Sequence, residues 1–207
     1  DVAKDTVNAQ LSDLNMVALY TCPWPGQGFY FAKEVNSSAD TQGVKFRSYN
    51  TATATFAEEL GMIPVQIEAA ELAQALATGV ASSFISSGST GYDQKVWEHL
   101  SHYYKVNAWL PRNYVVANKQ AWDGLDAEVQ AGIMKAADET AVSCAAKSEE
   151  LSDFYFAELA KNGMTVADAS PEFLAELEAI GAKMTAEWLE TAGADGQAII
   201  DAFKAAN

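Results

Sequence analysis

Between residues 44 and 86 the chain alternates strand-like and helix-like segments with almost no connecting sequence, and this rhythm constrains the fold most tightly. Val44 to Tyr49 is a short apolar run. Thr51 to Leu60 has helical spacing closed by Gly61, and Ile63 to Ile67 is apolar again. Ala69 to Thr78 repeats the helix, Gly79 closes it, and Val80 to Ser86 supplies a third strand. A helix between two strands carries the chain back to the edge where the first strand began, which is what parallel pairing requires. The pattern therefore predicts an α/β fold with three parallel, neighbouring strands joined by right-handed crossovers. Glycine just past each helix suits the left-handed position that ends helices.

The flanking sequence is less regular. Residues 2–13 read as the end of an amphipathic helix, followed by a short buried strand, Met16 to Tyr20. In Cys22-Pro23-Trp24-Pro25-Gly26-Gln27-Gly28, two prolines and two glycines argue against regular structure and for a boundary or functional loop. Asp93 to Tyr104 reads as a helix, with Val106 to Trp109 and a strand at Tyr114 to Ala117 beyond it. From Asp126 to Asn162, Val129, Ile133, Ala137, Cys144, Leu151, Tyr155 and Leu159 keep helical spacing without a proline. Such a helix would run about 50 Å, suited to bracing two lobes, unless it kinks near Gly132 or Ser143. Ser170-Pro171-Glu172 opens a further helix with an N-cap serine, and Asp195 starts a last short one ending near Phe203. No run approaches the ~18 apolar residues of a membrane-spanning helix.

Charge narrows the function. Asp and Glu number 28 against 13 Lys and Arg, a net charge of −15, so nucleic acid and anionic membrane surfaces are poor partners. Arginine is confined to Arg47 and Arg112. Arg47 ends the first strand of the alternation, beside the helix that starts after Asn50. In open parallel sheets, ligands bind at the carboxyl ends of strands. A guanidinium beside free helix N–H groups makes a carboxylate-sized anion site, although an exposed ion pair with a neighbouring Glu would also account for it. The hydroxyl- and glycine-rich stretch Ser82 to Gly91 suits either a polar ligand or a plain turn. His99 and His102 stand three apart on the expected helix, without a third metal ligand. No nucleophile elbow, dinucleotide fingerprint or phosphate loop occurs. Packing is the default role for Cys22 and Cys144, with a disulfide left open. The chain opens on Asp1 with no basic or apolar leader, and reads as a processed or truncated product.

Four stretches together resemble the TRAP solute-binding proteins, the DctP-like receptors of tripartite ATP-independent transporters. They are Asn36-Ser37-Ser38-Ala39-Asp40-Thr41-Gln42-Gly43-Val44-Lys45-Phe46-Arg47, Leu60-Gly61-Met62-Ile63-Pro64-Val65, Glu71 to Val80, and Val115 to Leu125 with its Asn118 and Trp122. They occur in the family's order and spacing, starting about a third of the way into a typical member. The resemblance implies a two-lobe α/β fold of the type II periplasmic-binding-protein kind, with a parallel βαβαβ core and a long bracing helix. The expected partition is a first-lobe remnant at 1–23, the second lobe at 24–112, a return to the first lobe at 113–150, and bracing helix with second-lobe cover at 151–207. A C-terminal fragment lacking the first part of the first lobe is expected.

The resemblance also implies a function. Arg47 falls on the family's carboxylate-pairing arginine, Gln27 on or near a second polar position, and Ser86 where many members carry Asn. Ser82 replaces a usual Asp. Phe84 and Ile85 stand near where metal-assisted relatives have a Glu-Trp pair, so no metal is expected, nor any cofactor. Trp24, Tyr49, Phe84 and Trp109 could form a ring-lined pocket, with Asn50, Ser87 and Asn113 completing the candidate set. The expected protein is a periplasmic receptor, not an enzyme. It would bind a small organic-acid anion, apolar or aromatic rather than a sugar acid, and pass it to TRAP membrane permease subunits. A ligand-binding sensor or scaffold feeding a signalling partner is the alternative.

Overall fold

In the computed structural model, which describes residues 2–206, the chain begins with α1 (Lys4–Asp13), β1 (Met16–Pro23) and β2 (Gln27–Phe31). It continues through β3 (Lys45–Ser48), α2 (Thr51–Glu59), β4 (Ile63–Gln66), α3 (Leu72–Ala77), β5 (Ser83–Ser86) and α4 (Gly88–Asp93). β6 (His102–Trp109), β7 (Arg112–Asn118), α5 (Lys119–Asp123), α6 (Ala127–Lys161), β8 (Thr165–Ala167) and α7 (Pro171–Ala206) complete it. β1 and β7 form an antiparallel two-stranded sheet. The other six strands form a second sheet in the order β4-β3-β5-β2-β6-β8.

The expected alternation is present at its centre. β3 pairs in parallel with both β4 and β5, and Gly61 and Gly79 take the positive φ values, 70° and 69°, that stop the two intervening helices. The sheet is nevertheless mixed, because β2 runs antiparallel to β5 and β6. Phe29-Tyr30-Phe31 explains its central place: all three rings are buried, as only a strand covered on both faces allows. On one face Phe29 lies within about 6 Å of Phe31, Phe46, Phe56 and Phe173. On the other, Tyr30 stacks on Phe84 at 4.4 Å and meets Tyr103, in a cluster with Leu72, Leu76, Val96 and Leu159. Each such ring pair adds about 0.5–1.5 kcal/mol beyond its buried area.

Contacts divide the chain into two compact units. One comprises Asp1–Pro23, Arg112–Lys147 and Lys183–Asn207; the other comprises Trp24–Pro111 and Ser148–Ala182. The six-stranded sheet belongs to the second unit, the β1–β7 ribbon to the first. Of residues 151–207, which the sequence assigned to a bracing helix and second-lobe cover, those up to Ala182 group with the second unit and Lys183–Asn207 with the first.

Several local expectations are corrected. The proline- and glycine-rich segment is more regular than expected, since β1 extends to Pro23 and β2 begins at Gln27, and the division between the two units falls within it, after Pro23. Gly28 makes that possible, since a Cβ there would lie 2.1 Å from the Tyr104 carbonyl oxygen of β6. β1 is half-exposed rather than buried. The helix expected over 93–104 is α4, a 3-10 turn at Val96–Glu98 and then β6, so His102 lies on a strand. The helix at 69–78 starts as a 3-10 turn, Ala69–Glu71. α6 is one continuous 35-residue helix with no break at Gly132 or Ser143. The last two helices meet at Gly193, which has non-helical angles. Ser170 caps α7, its hydroxyl accepting from the Phe173 N–H at 3.0 Å. Cys22 and Cys144, whose pairing the sequence left open, form a disulfide within the first unit.

Candidate functional site

Topology gathers the candidate residues. Because β2 is antiparallel to the strands on either side of it, its amino end lies at the sheet edge where β3, β4, β5 and β6 finish. Gln27 stands opposite Trp109, Gly28 opposite Ser86, and Arg47 opposite Val65 and Phe84. One edge of the second unit therefore carries Gln27, Arg47, Tyr49, Ser86, Ser87 and Trp109, with Trp24 just before β2.

Arg47 is 5% exposed. Its Nε donates to the Ile67 carbonyl oxygen at 2.8 Å, and its guanidinium lies 5.1 Å from the centre of the Tyr49 ring. Burial pulls its pKa below the ordinary arginine value, while Tyr49 and Glu68 push it back up. The guanidinium keeps its charge, as arginine does in proteins. The hydrogen bond uses the inner nitrogen, so the fork's outer nitrogens remain for an acceptor. The exposed ion-pair reading is excluded by this burial.

Tyr49 extends the arrangement. Its hydroxyl donates to Gln27 Oε1 at 2.9 Å, and burial raises its pKa, so the phenol proton stays in place. A second group of bonds surrounds Ser87. The Trp24 indole N–H donates to Ser87 Oγ at 2.9 Å, Ser89 Oγ lies 2.8 Å from the same atom, and the Tyr30 hydroxyl donates to the Ser87 carbonyl at 2.9 Å. Fully buried Ser87 thus fixes a tryptophan that is itself 39% exposed.

Other candidates have different roles. Phe84 is fully buried under Tyr30, a core ring rather than a wall of the site. Asn50 caps α2: its Oδ1 accepts from the Thr53 N–H at 2.9 Å, and Thr53 Oγ1 accepts in return from the Tyr49 and Asn50 N–H groups. The helix start thereby satisfies much of its own backbone. Trp109 is half-buried against Phe56. Asn113 is exposed on β7, in the first unit, opposite Cys22. Ser82, the residue in place of the family's Asp, is half-buried just before β5. The tyrosine–glutamine bond and the serine–tryptophan bond were not readable beforehand, because each joins residues far apart in sequence. Among the described residues no His, Cys, Asp and Glu cluster could hold a metal ion. His102 Nδ1 lies 2.8 Å from Ser101 Oγ instead.

The chain matches the family DctP, bacterial extracellular solute-binding protein family 7, over residues 6–191. It is 73% identical to a TRAP solute-binding protein of an unidentified microbe from a marine metagenome, described as specific for pyroglutamate and solved with co-purified pyroglutamate. The superposition covers 98% of this chain and 67% of that one, with a TM-score of 0.95. DctP6 of Bordetella pertussis, an extracytoplasmic solute receptor binding pyroglutamic acid, is 40% identical over the same shares, with a TM-score of 0.96. A 77-residue stretch, 37% of this chain, is 38% identical to the C4-dicarboxylate-binding periplasmic protein DctP of Rhodobacter capsulatus and spans 23% of it.

Proposed function

We propose a function from one established premise: this chain belongs to the DctP family, bacterial extracellular solute-binding protein family 7, whose members are receptors rather than enzymes. The protein binds a small cyclic monocarboxylate of the pyroglutamate class and delivers it to the membrane subunits of a TRAP transporter. The observation that carries this reading is Arg47, buried at the edge where the strands end, its inner nitrogen bonded to the Ile67 carbonyl, which leaves the outer nitrogens of the fork for a carboxylate. Desolvated guanidinium–carboxylate pairing is strong and geometrically selective.

Ligand class is supported by the relatives at 73% and 40% identity, both described as binding pyroglutamate. Pyroglutamate is a saturated lactam, so the reading keeps a compact monocarboxylate and drops aromaticity. Trp24 and Trp109 supply apolar ring faces suited to a five-membered ring. The Cys22–Cys144 bond suits an oxidising compartment such as the periplasm. No helix among the described residues is long and apolar enough to cross a membrane.

Calorimetric titration of the whole gene product tests this directly. Pyroglutamate should bind at least tenfold more tightly than succinate or glucuronate. Equal or weaker binding of pyroglutamate would overturn the assignment.

A further inference from the structure

The site contains a device that the carboxylate pairing does not use. Gln27 is 6% exposed at the start of β2, and its carboxamide has one acceptor oxygen and a nitrogen with two donors. The oxygen already accepts the Tyr49 hydroxyl proton at 2.9 Å. With the oxygen held at Tyr49, the N–H₂ group is the branch of the carboxamide turned away from the phenol and left for a ligand. Tyr49 is in turn held by the guanidinium over its ring. Arg47, Tyr49 and Gln27 therefore form one chain of contacts whose two ends present only donors.

We propose that Tyr49 is a positioning residue that locks the Gln27 carboxamide with its nitrogen toward the ligand, so that the site selects acids carrying a second, neutral acceptor. This rests on the carboxylate-receptor reading and goes beyond it by giving Tyr49 the role of orienting Gln27. A lactam acid meets both demands, with its carboxylate at Arg47 and its ring carbonyl at Gln27. A five-membered ring acid without the carbonyl leaves the buried amide nitrogen unpaired, which selects against it. Burial of the phenol keeps its proton in place across the physiological range, so the lock does not loosen with pH.

Two measurements on the whole gene product test the proposal. The first compares pyroglutamate with cyclopentanecarboxylate, which has the same ring size and charge but no ring carbonyl. Tyr49→Phe keeps the ring beneath Arg47 and deletes only the hydroxyl that orients Gln27. Affinity for pyroglutamate should fall about 5- to 20-fold, the scale of one hydrogen bond, while cyclopentanecarboxylate changes less than twofold. Gln27→Met should remove the preference between the two acids. Equal losses for both acids in Tyr49→Phe, or no loss for pyroglutamate, would overturn the proposal. Retained binding of cyclopentanecarboxylate also shows that the variants are folded.

The second measurement needs no ligand. In free protein, the Gln27 side-chain NH₂ resonances, assigned by their absence in Gln27→Met, should shift and broaden in Tyr49→Phe as the amide begins to flip. Unchanged resonances would overturn the lock. A wild-type protein that ignores pyroglutamate would instead sink the functional reading, which keeps the two failures apart.

Discussion

At the scale of single residues, the proposed receptor depends on one guanidinium. Arg47→Ala should weaken pyroglutamate binding by about 2–5 kcal/mol, or roughly 30- to several-thousand-fold, because a desolvated charge pair loses one partner. Arg47→Lys keeps the charge without the fork and should lose less. Calorimetry with a circular-dichroism check of folding measures both; an alanine variant that binds normally would refute the role. The place of Arg47 was legible in the sequence because arginine is rare here and this one ends a strand beside a helix start. The complete burial of Phe84 was not legible, for a physical reason. In a strand as short as Ser83–Ser86, covered on both faces, alternation does not tell a ligand wall from a core ring. Tyr49 was a candidate for its ring, yet its hydroxyl makes the informative contact, 22 residues away in sequence.

At the scale of elements, β2 was the strand that the sequence hid. Its amino end is crowded with residues that break regular structure, and its Phe-Tyr-Phe core is too short to show a period. Gly28 belongs to the strand because β6 passes so close there. A Cβ at this position would meet the Tyr104 carbonyl oxygen at 2.1 Å and the Tyr103 ring at 2.7 Å. Backbone cannot move aside without breaking the β2–β6 ladder, so Gly28→Ala should cost about 1–3 kcal/mol of stability or more. It should also weaken ligand binding, because Gln27 would shift with the strand. Urea denaturation measures the first effect; a midpoint and slope like wild type would show that the approach is looser than described. The helices were easier to read. Glycine caps, the Ser170 cap and long apolar spacing are local signals, needing no knowledge of distant partners. His102 shows the opposite case. Its place in β6 depends on pairing with Phe31 and Thr165, both far away in sequence.

At the scale of the whole molecule, the chain leaves and re-enters its first unit, whose separate pieces are joined by the β1–β7 ladder, side-chain packing and one covalent bond. Within that unit the sheet is a two-stranded ribbon, β1 with β7, and such a ribbon is marginal by itself in water. The Cys22–Cys144 bond ties the end of β1 to the interior of α6 across 122 residues, with Cα atoms 5.7 Å apart. Two cysteines so distant in sequence give no signal of pairing, which is why the bond emerged only in the fold. Closing so long a loop restricts the unfolded chain strongly, and removing a natural disulfide typically costs about 2–4 kcal/mol. The Cys22→Ser/Cys144→Ser variant should therefore lose stability on that scale, and reduced wild-type protein should melt at the same temperature as the variant. The loss should be local. The six-stranded sheet has its own buried aromatic core in the other unit, independent of the bond. Hydrogen exchange should thus quicken at Met16–Pro23, Arg112–Asn118 and the first turns of α6, leaving Phe29–Phe31 and Lys45–Ser48 protected. Uniform loss of protection through both units would mean that they unfold as one cooperative body, and that the disulfide supports the ligand-binding sheet as well.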